Sequence, residues 1–330
     1  MVKLRLISDT HFDDGINGDT SKKRGITHTP FGHYFSKALS NEPDCITLIA
    51  GDLAASLTQT KAFLEGFFQE KTVFFIDGNH LVYNHEGKTI YQLKDELRQE
   101  FPETHLFHHY LENSWMWIPG TDNSVAVIGS TFYTDYEYKT FTTKTYNAYN
   151  LRWANVLNAW GYGNAETKPI KRLTKQRLIR ENLLLASERL NDFKWGHETE
   201  YTRLSPETYL KLNKLAKNKV QECYAEILKI NPTAKIILMT HHCLSGKCIE
   251  DTYKDSISNA SYVSSLEKWV DTMPNIKLVF SGHVHCRKDF KIGKNKTRYI
   301  INSCGYIPYN EPFKTLPKFN VNFIINTDDL

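Results

Sequence analysis

The chain has 330 residues, with 41 lysines and arginines against 37 aspartates and glutamates, and therefore a formal charge of +4. So small an excess of positive charge disfavours a dedicated, sequence-specific nucleic-acid binder that works by neutralising phosphates. With 41% hydrophobic residues, a chain of this length builds a core without disulfides or oligomerisation, as one large domain or two small ones.

Short apolar runs rich in β-forming residues recur along the chain, and polar, glycine-containing residues follow several of them at once. This pattern predicts strands that end in functional loops. The predicted strands are Val2–Ile7, Ile46–Ala50, Val73–Ile76, Val125–Ile128, Ile236–Met239 and Lys277–Phe280. Further on, Phe290–Ile292 and Thr297–Asn302 form a predicted hairpin, and Val321–Asn326 a last strand.

Between the strands, apolar residues return every three or four positions, which is the period of an amphipathic helix. The predicted helices are Ser56–Glu70, Thr89–Gln99, Pro206–Lys229 and Ser261–Val270. Because strands and helices alternate, the sequence predicts a layered α/β fold.

Residues 135–215 depart from this alternation, since they are aromatic, basic and helical in pattern. We interpret them as a helical insertion within a single domain that spans residues 1–330. The stretch 168–180, the basic run, holds only positive charges. It predicts either a solvated helix face or an attachment point for an anionic substrate or a nucleic-acid strand, the second only if the helix borders the site.

Aromatic side chains precede the basic run. They form either the core of the insertion or a surface on which nucleotide bases stack. These residues are Tyr136, Tyr138, Phe141, Tyr146, Tyr149, Trp153, Trp160 and Tyr162.

Neither a membrane span nor an export signal is predicted. No stretch reaches the roughly 18 consecutive apolar residues of a span, and Lys3, Arg5 and Asp9 interrupt an N-terminal apolar run. The cysteines occur without a Cys-x-x-Cys pair, which is typical of reduced thiols. We therefore expect a cytoplasmic protein without a membrane partner, whose oligomeric state the sequence leaves open.

Residue types that bind metals follow several predicted strands directly. A single histidine more often forms an ordinary hydrogen bond, and Gly-Asp is commonly a turn, so one motif alone is weak evidence. Five such motifs in one chain, each after an apolar strand, are hard to attribute to chance. They are Asp9-Thr10-His11, Gly51-Asp52, Gly78-Asn79-His80, His241-His242 and Gly282-His283-Val284-His285.

The spacing within the motifs favours shared binding. In an extended strand, residues i and i+2 face the same side, so the two ligand types of the first motif meet if the strand geometry persists. The same holds for the two histidines of the last motif. Glycine before Asp52, Asn79 and His283 suits a tight turn where backbone crowds a metal or a phosphate. The pattern predicts a pair of metal ions.

The ligand types also restrict the metal and its substrate. Mixed carboxylate, imidazole and amide groups suit divalent Mn, Fe, Zn or Ni better than Ca, which prefers oxygen ligands alone. Two divalent ions contribute +4 and the carboxylates of Asp9 and Asp52 contribute −2, which leaves about +2 for an anionic phosphate ester.

These motifs resemble those of the calcineurin-like metallophosphoesterases over nearly the whole chain. The resemblance implies a four-layer α/β/β/α sandwich that carries the helical insertion. It implies that a hydroxide bridging two ions attacks the phosphorus of a phosphate mono- or diester directly. It also implies two ligand sets: Asp9, His11, Asp52 and His285 for one ion, and Asp52, Asn79, His241 and His283 for the other.

In the same resemblance, Asp52 is the bridging residue and His80 faces the substrate, where it stabilises charge or protonates the leaving oxygen. Many relatives follow Gly-Asn-His with an acidic residue, whereas this chain has Leu81, so a carboxylate that would orient His80 from that position is missing. The Asp-Arg-Gly run of protein serine/threonine phosphatases is also absent after Asp52, which disfavours a dedicated protein phosphatase.

Other stretches resemble a bacterial subgroup of these enzymes, and they predict either packing or a role in shaping the pocket. They are residues 129–135, Thr240-His241-His242, and Asn302 with Gly305, Tyr306 and Asn310. His242 is a candidate phosphate contact.

Two classes of function follow from the sequence. The first is a metal-dependent hydrolase of phosphate mono- or diesters, acting on a phosphorylated small molecule or a nucleotide, with nuclease and cyclic-nucleotide phosphodiesterase activity as alternatives. The second is a non-catalytic scaffold that keeps the fold alone. Because every residue of the ligand set is present, the sequence favours the enzyme.

Overall fold

Two mixed β-sheets form the centre of the fold. The computed structural model describes residues 1–12, 30–41, 44–83, 87–161, 167–306 and 319–330. In this part of the chain the strands are β1 (Lys3–Ile7), β2 (Cys45–Ala50), β3 (Val73–Ile76), β4 (His108–Tyr110), β5 (Ser114–Trp117), β6 (Val125–Ser130), β7 (Lys235–Thr240), β8 (Ile276–Ser281), β9 (Arg287–Ile292), β10 (Thr297–Asn302) and β11 (Ile324–Asn326).

The first sheet has the strand order β11-β1-β2-β3-β4, and the second has the order β5-β6-β7-β8-β10-β9. Strands β1 to β4 run parallel, and β11 pairs antiparallel with β1. In the second sheet β6, β7, β8 and β10 run parallel, while the edge strands β5 and β9 are antiparallel. Each sheet therefore gathers the carboxyl ends of several strands at one edge, where binding loops form in α/β folds.

Helices cover the outer faces of both sheets, and further helices belong to the insertion. Their bounds are α1 (Pro30–Ser40), α2 (Leu57–Phe68), α3 (Ile90–Glu100), α4 (Thr143–Ala159), α5 (Lys175–Arg189), α6 (Asp192–Trp195), α7 (Pro206–Ile230) and α8 (Glu267–Val270). Several begin at a residue whose side chain caps the first turn, as Ser56 and Ser205 do for α2 and α7. In the described ranges, no helix has both the length and the apolar character needed to cross a bilayer.

The core consists of three stacked apolar layers. Alternate residues such as Leu4 and Leu6 on β1 fill the space between the sheets, opposite Ile237 on β7. The outer face of the first sheet packs against helices α1 to α3, and that of the second against α7 and α8. The result is the four-layer α/β/β/α sandwich that the resemblance implied.

The predicted strands are confirmed within one or two residues at their ends, and so is the hairpin, although its first strand begins three residues earlier, at Arg287. The last strand is reduced to β11. The predicted helix Ser261–Val270 is wrong over its first half, because Val263 forms an isolated β-bridge with Cys243. Only α8 at its end is α-helical. The apolar spacing in this segment comes from packing beside the cysteines rather than from a helix. All six cysteines are buried thiols outside any disulfide.

The insertion contains α4, α5 and α6, and its aromatic residues mostly form its own core. Tyr136, Phe141 and Tyr146 are buried in two clusters of this region, whereas Trp153 and Trp160 are exposed. Tyr162 lies outside the described residues. From Pro206 onward, α7 packs on β5 and β6. The bounds 135–215 stay a prediction.

A buried ionic network lies beneath the loop that follows β7. The Lys94 ammonium donates to Asp77 Oδ2 and Glu112 Oε1, both at 2.7 Å, and to Thr131 Oγ1 at 3.2 Å. The Thr131 carbonyl accepts the backbone N–H groups of His241 and His242. Because each charge is paired away from water, the network fixes the backbone of this loop.

We predict that Lys94→Met lowers the free energy of unfolding by about 3–5 kcal/mol, because it leaves two carboxylates buried without their cation. Urea unfolding measures the change. The matched control on the same helix is Arg98→Met, whose partner Asp95 lies at the surface. Its loss is expected to stay below about 1 kcal/mol. Equal effects of the two substitutions would contradict the assigned role of the network.

Candidate metal centre

The five sequence motifs meet at the carboxyl edge of the two sheets. The loops after β1, β2 and β3 bring residues from the first sheet, and those after β7 and β8 bring residues from the second. The side chains that converge are those of Asp9, His11, Asp52, Asn79, His80, His241, His283 and His285.

Asp9, His11 and His285 form one group, whose candidate ligand atoms all lie within 4.8 Å of one another. The Nε2 atoms of the two histidines are 2.8 Å apart, and His285 Nε2 lies 3.6 Å from Asp9 Oδ1. Two imidazole nitrogens this close face each other across a shared proton or a shared cation. Buried His11 Nδ1 also has no hydrogen-bond partner. The geometry and the donor types fit a metal ion.

Asp52, His241 and His283 form the second group, again with ligand atoms within 4.8 Å. His241 Nε2 lies 3.2 Å from Asp52 Oδ2 and 3.0 Å from Asn79 Oδ1. His241 Nδ1 donates to the Ala50 carbonyl at 3.0 Å, which leaves Nε2 as the ligand atom. Atoms bound to one ion at about 2.1 Å are roughly 3 Å apart, so this spacing also fits a metal.

The ligand loops leave the strands through left-handed backbone conformations. Among the described residues, φ is positive at Asp9 (53°), Asp52 (46°) and His283 (70°), and also at His11 (41°) and His285 (43°). Extended geometry therefore does not persist past the strand ends, so the condition under which residues i and i+2 would share one face of a strand is not met. The side chains converge because the backbone turns sharply, at an energetic cost that packing around the site sustains.

Three glycines leave the room that these side chains occupy. A Cβ on Gly78 would overlap Asp52 Oδ1, and one on Gly51 would overlap the His241 ring. A Cβ on Gly282 would lie 2.7 Å from Asp9 Oδ2. The sequence motifs place glycine before ligands for this steric reason.

The electrostatics of the protein alone also suit cations. Burial lowers the pKa values of His11 and His283 well below the usual range, which keeps them neutral as metal ligands must be. Burial would also lower the pKa of His241, but the Asp52 carboxylate outweighs it and raises that pKa to about 9. Burial raises the pKa of Asp52, but its interactions with His241 and His80 outweigh this effect and hold that pKa well below its usual range. Asp52 thus keeps its negative charge at the centre of the cluster.

His80 lies beside Asp52 at the floor of a cleft. Its backbone N–H donates to Asp52 Oδ1 at 2.9 Å, and its Nε2 is 4.0 Å from Asp52 Oδ2. The ring stands between those of His11 and Tyr83, with centroids 4.3 Å from each, and its Nε2 hydrogen-bonds with the Tyr306 hydroxyl at 2.8 Å. Backbone and ring contacts therefore fix its position.

A cleft of about 530 Å³ opens above these residues. The insertion supplies part of its wall through residues 189–192, and the segment 249–262 supplies another part. In the described part of the chain, the basic run 168–180 does not line this cleft. Lys175 instead pairs with Glu137 at 2.5 Å, and Arg177 lies over the Tyr146 ring.

Of the stretches that resemble the bacterial subgroup, some pack behind the site and others line the cleft. His242 is buried behind His283, with ring centroids 4.2 Å apart, and does not line the cleft. Residues 129–135 pack behind the site, where Thr131 belongs to the buried ionic network. Tyr306 does line the cleft and stacks on His11. Asn310 lies outside the described residues.

Sequence reasoning missed Asp192. Its carboxylate accepts hydrogen bonds from Asn79 Nδ2 at 3.0 Å and from the Tyr83 hydroxyl. Burial raises the pKa of Asp192, while these two hydrogen bonds oppose the rise. It lies in the insertion, 113 residues from Asn79 along the chain, and no metal-ligand spacing marks it.

We predict that Asp52→Asn weakens the binding of both ions at least tenfold, because it removes a buried charge that lies close to His11 of the first group as well as to His241 and His283 of its own. Metal titration followed by elemental analysis measures occupancy. Asp289→Asn is the control, since Asp289 pairs with Arg298 on the hairpin away from the centre. If Asp52→Asn retained both ions at wild-type affinity, the bridging position of Asp52 would be wrong.

Comparisons with known proteins agree with this geometry. Residues 2–287 match the family model described as calcineurin-like phosphoesterase, whereas a search of curated proteins gives no significant match. The fold is similar to that of phosphopantetheinyl hydrolase from Mycobacterium tuberculosis, with a TM-score of 0.55, 16% identity, and coverage of 92% of this chain and 89% of that one.

A calcineurin-like phosphoesterase from Bacillus subtilis, YfkN, aligns with a TM-score of 0.37 and 11% identity over 92% of this chain and 81% of its own. The family match spans most of the chain and includes all the motifs that meet at the sheet edge. The chain therefore belongs to the calcineurin-like phosphoesterase family, whose members are dimetal-dependent hydrolases of phosphate esters.

Proposed function

We propose that this phosphoesterase holds two divalent ions, one with Asp9, His11, Asp52 and His285 and the other with Asp52, Asn79, His241 and His283. The observation that carries the proposal is the convergence of two ligand groups around one buried carboxylate. When bound, such a pair of ions lowers the pKa of water and neutralises the charge on phosphoryl oxygens.

The protein's own residues account for the rest of the reaction. Asp52, held by the His80 backbone and by His241, fixes the centre of the cluster. The His80 ring faces the cleft beside that centre, where it stabilises negative charge on the phosphoryl group or gives a proton to the leaving oxygen. The Tyr306 hydroxyl, 2.8 Å from His80 Nε2, orients the ring and partly covers it from water.

The donor set supports Mn, Fe, Zn or Ni as the bound metals. Both groups combine carboxylate and imidazole, and the second adds the Asn79 amide oxygen. Half of the donors are oxygens, which suit Mn, and half are imidazole nitrogens, which also suit Fe, Ni and Zn. The buried cysteines contribute no ligand to either group. Because carboxylate and amide oxygens suit Mn(II), it is the metal with which we load the protein first in the tests below.

The cleft supports a phosphorylated small molecule or a nucleotide as substrate. Its volume of about 530 Å³ lies within the usual range for small-molecule sites. Its rim offers Arg189 from the insertion as a cation, together with Tyr253 and Tyr262 as aromatic surfaces. These groups suit a second anionic or aromatic part of a substrate whose phosphate lies at the metals.

The other sequence hypotheses have less support. A nucleic-acid strand held by the basic run would lie beside the cleft rather than in it, since those cations do not line it. A cytoplasmic location stays a prediction. A non-catalytic scaffold would not need the complete ligand set, nor the strained backbone that presents it.

The function is tested with the Mn-loaded protein on a matched pair of substrates, p-nitrophenyl phosphate and bis-p-nitrophenyl phosphate. We expect hydrolysis that needs metal and that chelation abolishes reversibly. The ratio of kcat/KM for the two substrates distinguishes monoesterase from diesterase activity. Absence of turnover with each candidate metal, at full occupancy of both sites, would favour the scaffold.

We predict that His80→Ala lowers kcat about 10²–10⁴-fold while both ions stay bound, because the ring acts on the substrate. The backbone N–H that holds Asp52 remains in this variant. Metal content and rate are measured on the same preparation. His80 Nε2 also lies near His11 and Asp52 as a possible ligand atom, so parallel loss of metal and rate would assign His80 to the ligands instead. His105→Ala is the control, since His105 lies beside His108 at the far end of β4.

A further inference from the structure

The insertion reaches the metal centre through Asp192. This residue begins the short helix α6, and its side chain is 2% exposed. The helix packs directly against the turn Asn79–Tyr83 that follows β3. A carboxylate from a separate part of the chain is therefore buried next to a predicted metal ligand.

The contact between Asp192 and Asn79 determines which end of the Asn79 amide faces the metals. A carboxylate oxygen accepts hydrogen bonds, so Asp192 Oδ1 must receive the Nδ2 group of Asn79, at 3.0 Å. The amide oxygen then points to the other side, where it lies 3.0 Å from His241 Nε2. A flipped amide would place its oxygen against Asp192 and its NH₂ group toward the ions, where it could not bind them.

Tyr83 completes the arrangement. Its hydroxyl donates to the same Asp192 oxygen and lies 3.3 Å from Asn79 Nδ2. Its ring stands beside that of His80, with centroids 4.3 Å apart. Asp192 thus holds together a metal ligand and the aromatic ring that flanks the substrate-facing histidine.

The turn itself has no carboxylate that could replace Asp192. Position 81, directly after the Gly-Asn-His motif, is a leucine that is 2% exposed and packs in the core of the first sheet. Asp52, the carboxylate on the opposite side, already contacts His241 and the His80 backbone. In the described residues, the carboxylate that accepts from Asn79 Nδ2 at 3.0 Å comes from the insertion, and the Tyr83 hydroxyl of the turn is a more distant second acceptor at 3.3 Å.

We propose that Asp192 is a positioning residue of the phosphoesterase site, which turns the Asn79 amide oxygen toward the second ion and so makes that metal site depend on the folded insertion. The proposal rests on the proposed function, because it takes Asn79 as a ligand. The insertion would then act on metal binding as well as on the shape of the cleft.

The test compares Asp192→Leu, which keeps the branched shape but removes the carboxylate acceptor, with Asp192→Asn, which retains an acceptor oxygen for Asn79. Mn(II) titration by calorimetry gives the affinity of each site, and p-nitrophenyl ester hydrolysis gives kcat and KM. For Asp192→Leu we expect a 10- to 100-fold loss of affinity at one of the two sites and a fall in kcat that exceeds any rise in KM. Asp192→Asn should recover affinity to within about threefold of wild type.

Asp135 provides the control for burial. It is also a buried carboxylate, at the start of the insertion, with Lys217 3.7 Å away and the Glu137 backbone N–H donating to its Oδ1 at 3.0 Å. Asp135→Leu should lower the melting temperature of the metal-free protein without selectively weakening one Mn(II) site. If Asp135→Leu and Asp192→Leu changed metal affinity alike, Asp192 would be structural only.

A double-mutant cycle with Asn79→Ala separates the possible failures. If Asp192 acts through Asn79, then Asp192→Leu has no further effect on affinity once Asn79 is alanine. If the two substitutions acted independently, so that their fold-losses of metal affinity multiplied in the double variant, the positioning role would be overturned. Wild-type affinity in Asn79→Ala itself would overturn the ligand assignment, and with it the proposal. Should Asp192→Leu not fold, the same cycle with Asp192→Ala and the recovery in Asp192→Asn decide the question.

Discussion

The enclosure of the Asp52 carboxylate is the constraint on which the site depends. One oxygen accepts the His80 backbone N–H, and the other faces His241. Gly78 passes so close that any side chain there would overlap the carboxylate. A charge buried this deeply is stable only beside cations or strong donors, so the fold around Asp52 is organised for positive charge. The loops of both sheets are accordingly arranged so that hydrogen-bond donors and imidazole rings surround this carboxylate.

Much of the fold follows from local sequence pattern. Apolar runs predict the parallel strands because buried strands must be apolar on both faces, and ligand motifs mark where those strands end. The short strands β4 and β5 give too few residues for a period to appear, and α1 was also missed. At Val263 the local pattern predicts a helix that the structure does not contain. Its apolar spacing fits a helix, yet pairing with Cys243 holds it extended.

The candidate residues of the site could be predicted from the sequence. The backbone turns and distant contacts that bring them together could not. Residue types and the glycines beside them identify the ligand candidates from the sequence alone. The left-handed turns at Asp9, Asp52 and His283 were not predictable, since non-glycine residues adopt them only where surrounding packing compensates. Asp192 could not be predicted, because its proposed role depends on a contact with Asn79, which lies 113 residues away in the chain, and no motif surrounds it in the sequence.

The support of Asp9 has a consequence for how the protein is made. Ser303 donates to Asp9 Oδ2 at 2.6 Å, and the Gly305 backbone N–H donates to the Asp9 carbonyl. Residues 51–53 hold the backbone of this loop soon after it is made, yet the residues that hold the Asp9 carboxylate leave the ribosome almost 300 positions later. Because domains acquire their packing as units, that carboxylate lacks these partners through most of translation. We therefore expect the metal centre to be complete only late in synthesis, after the strands on both sides of it have paired.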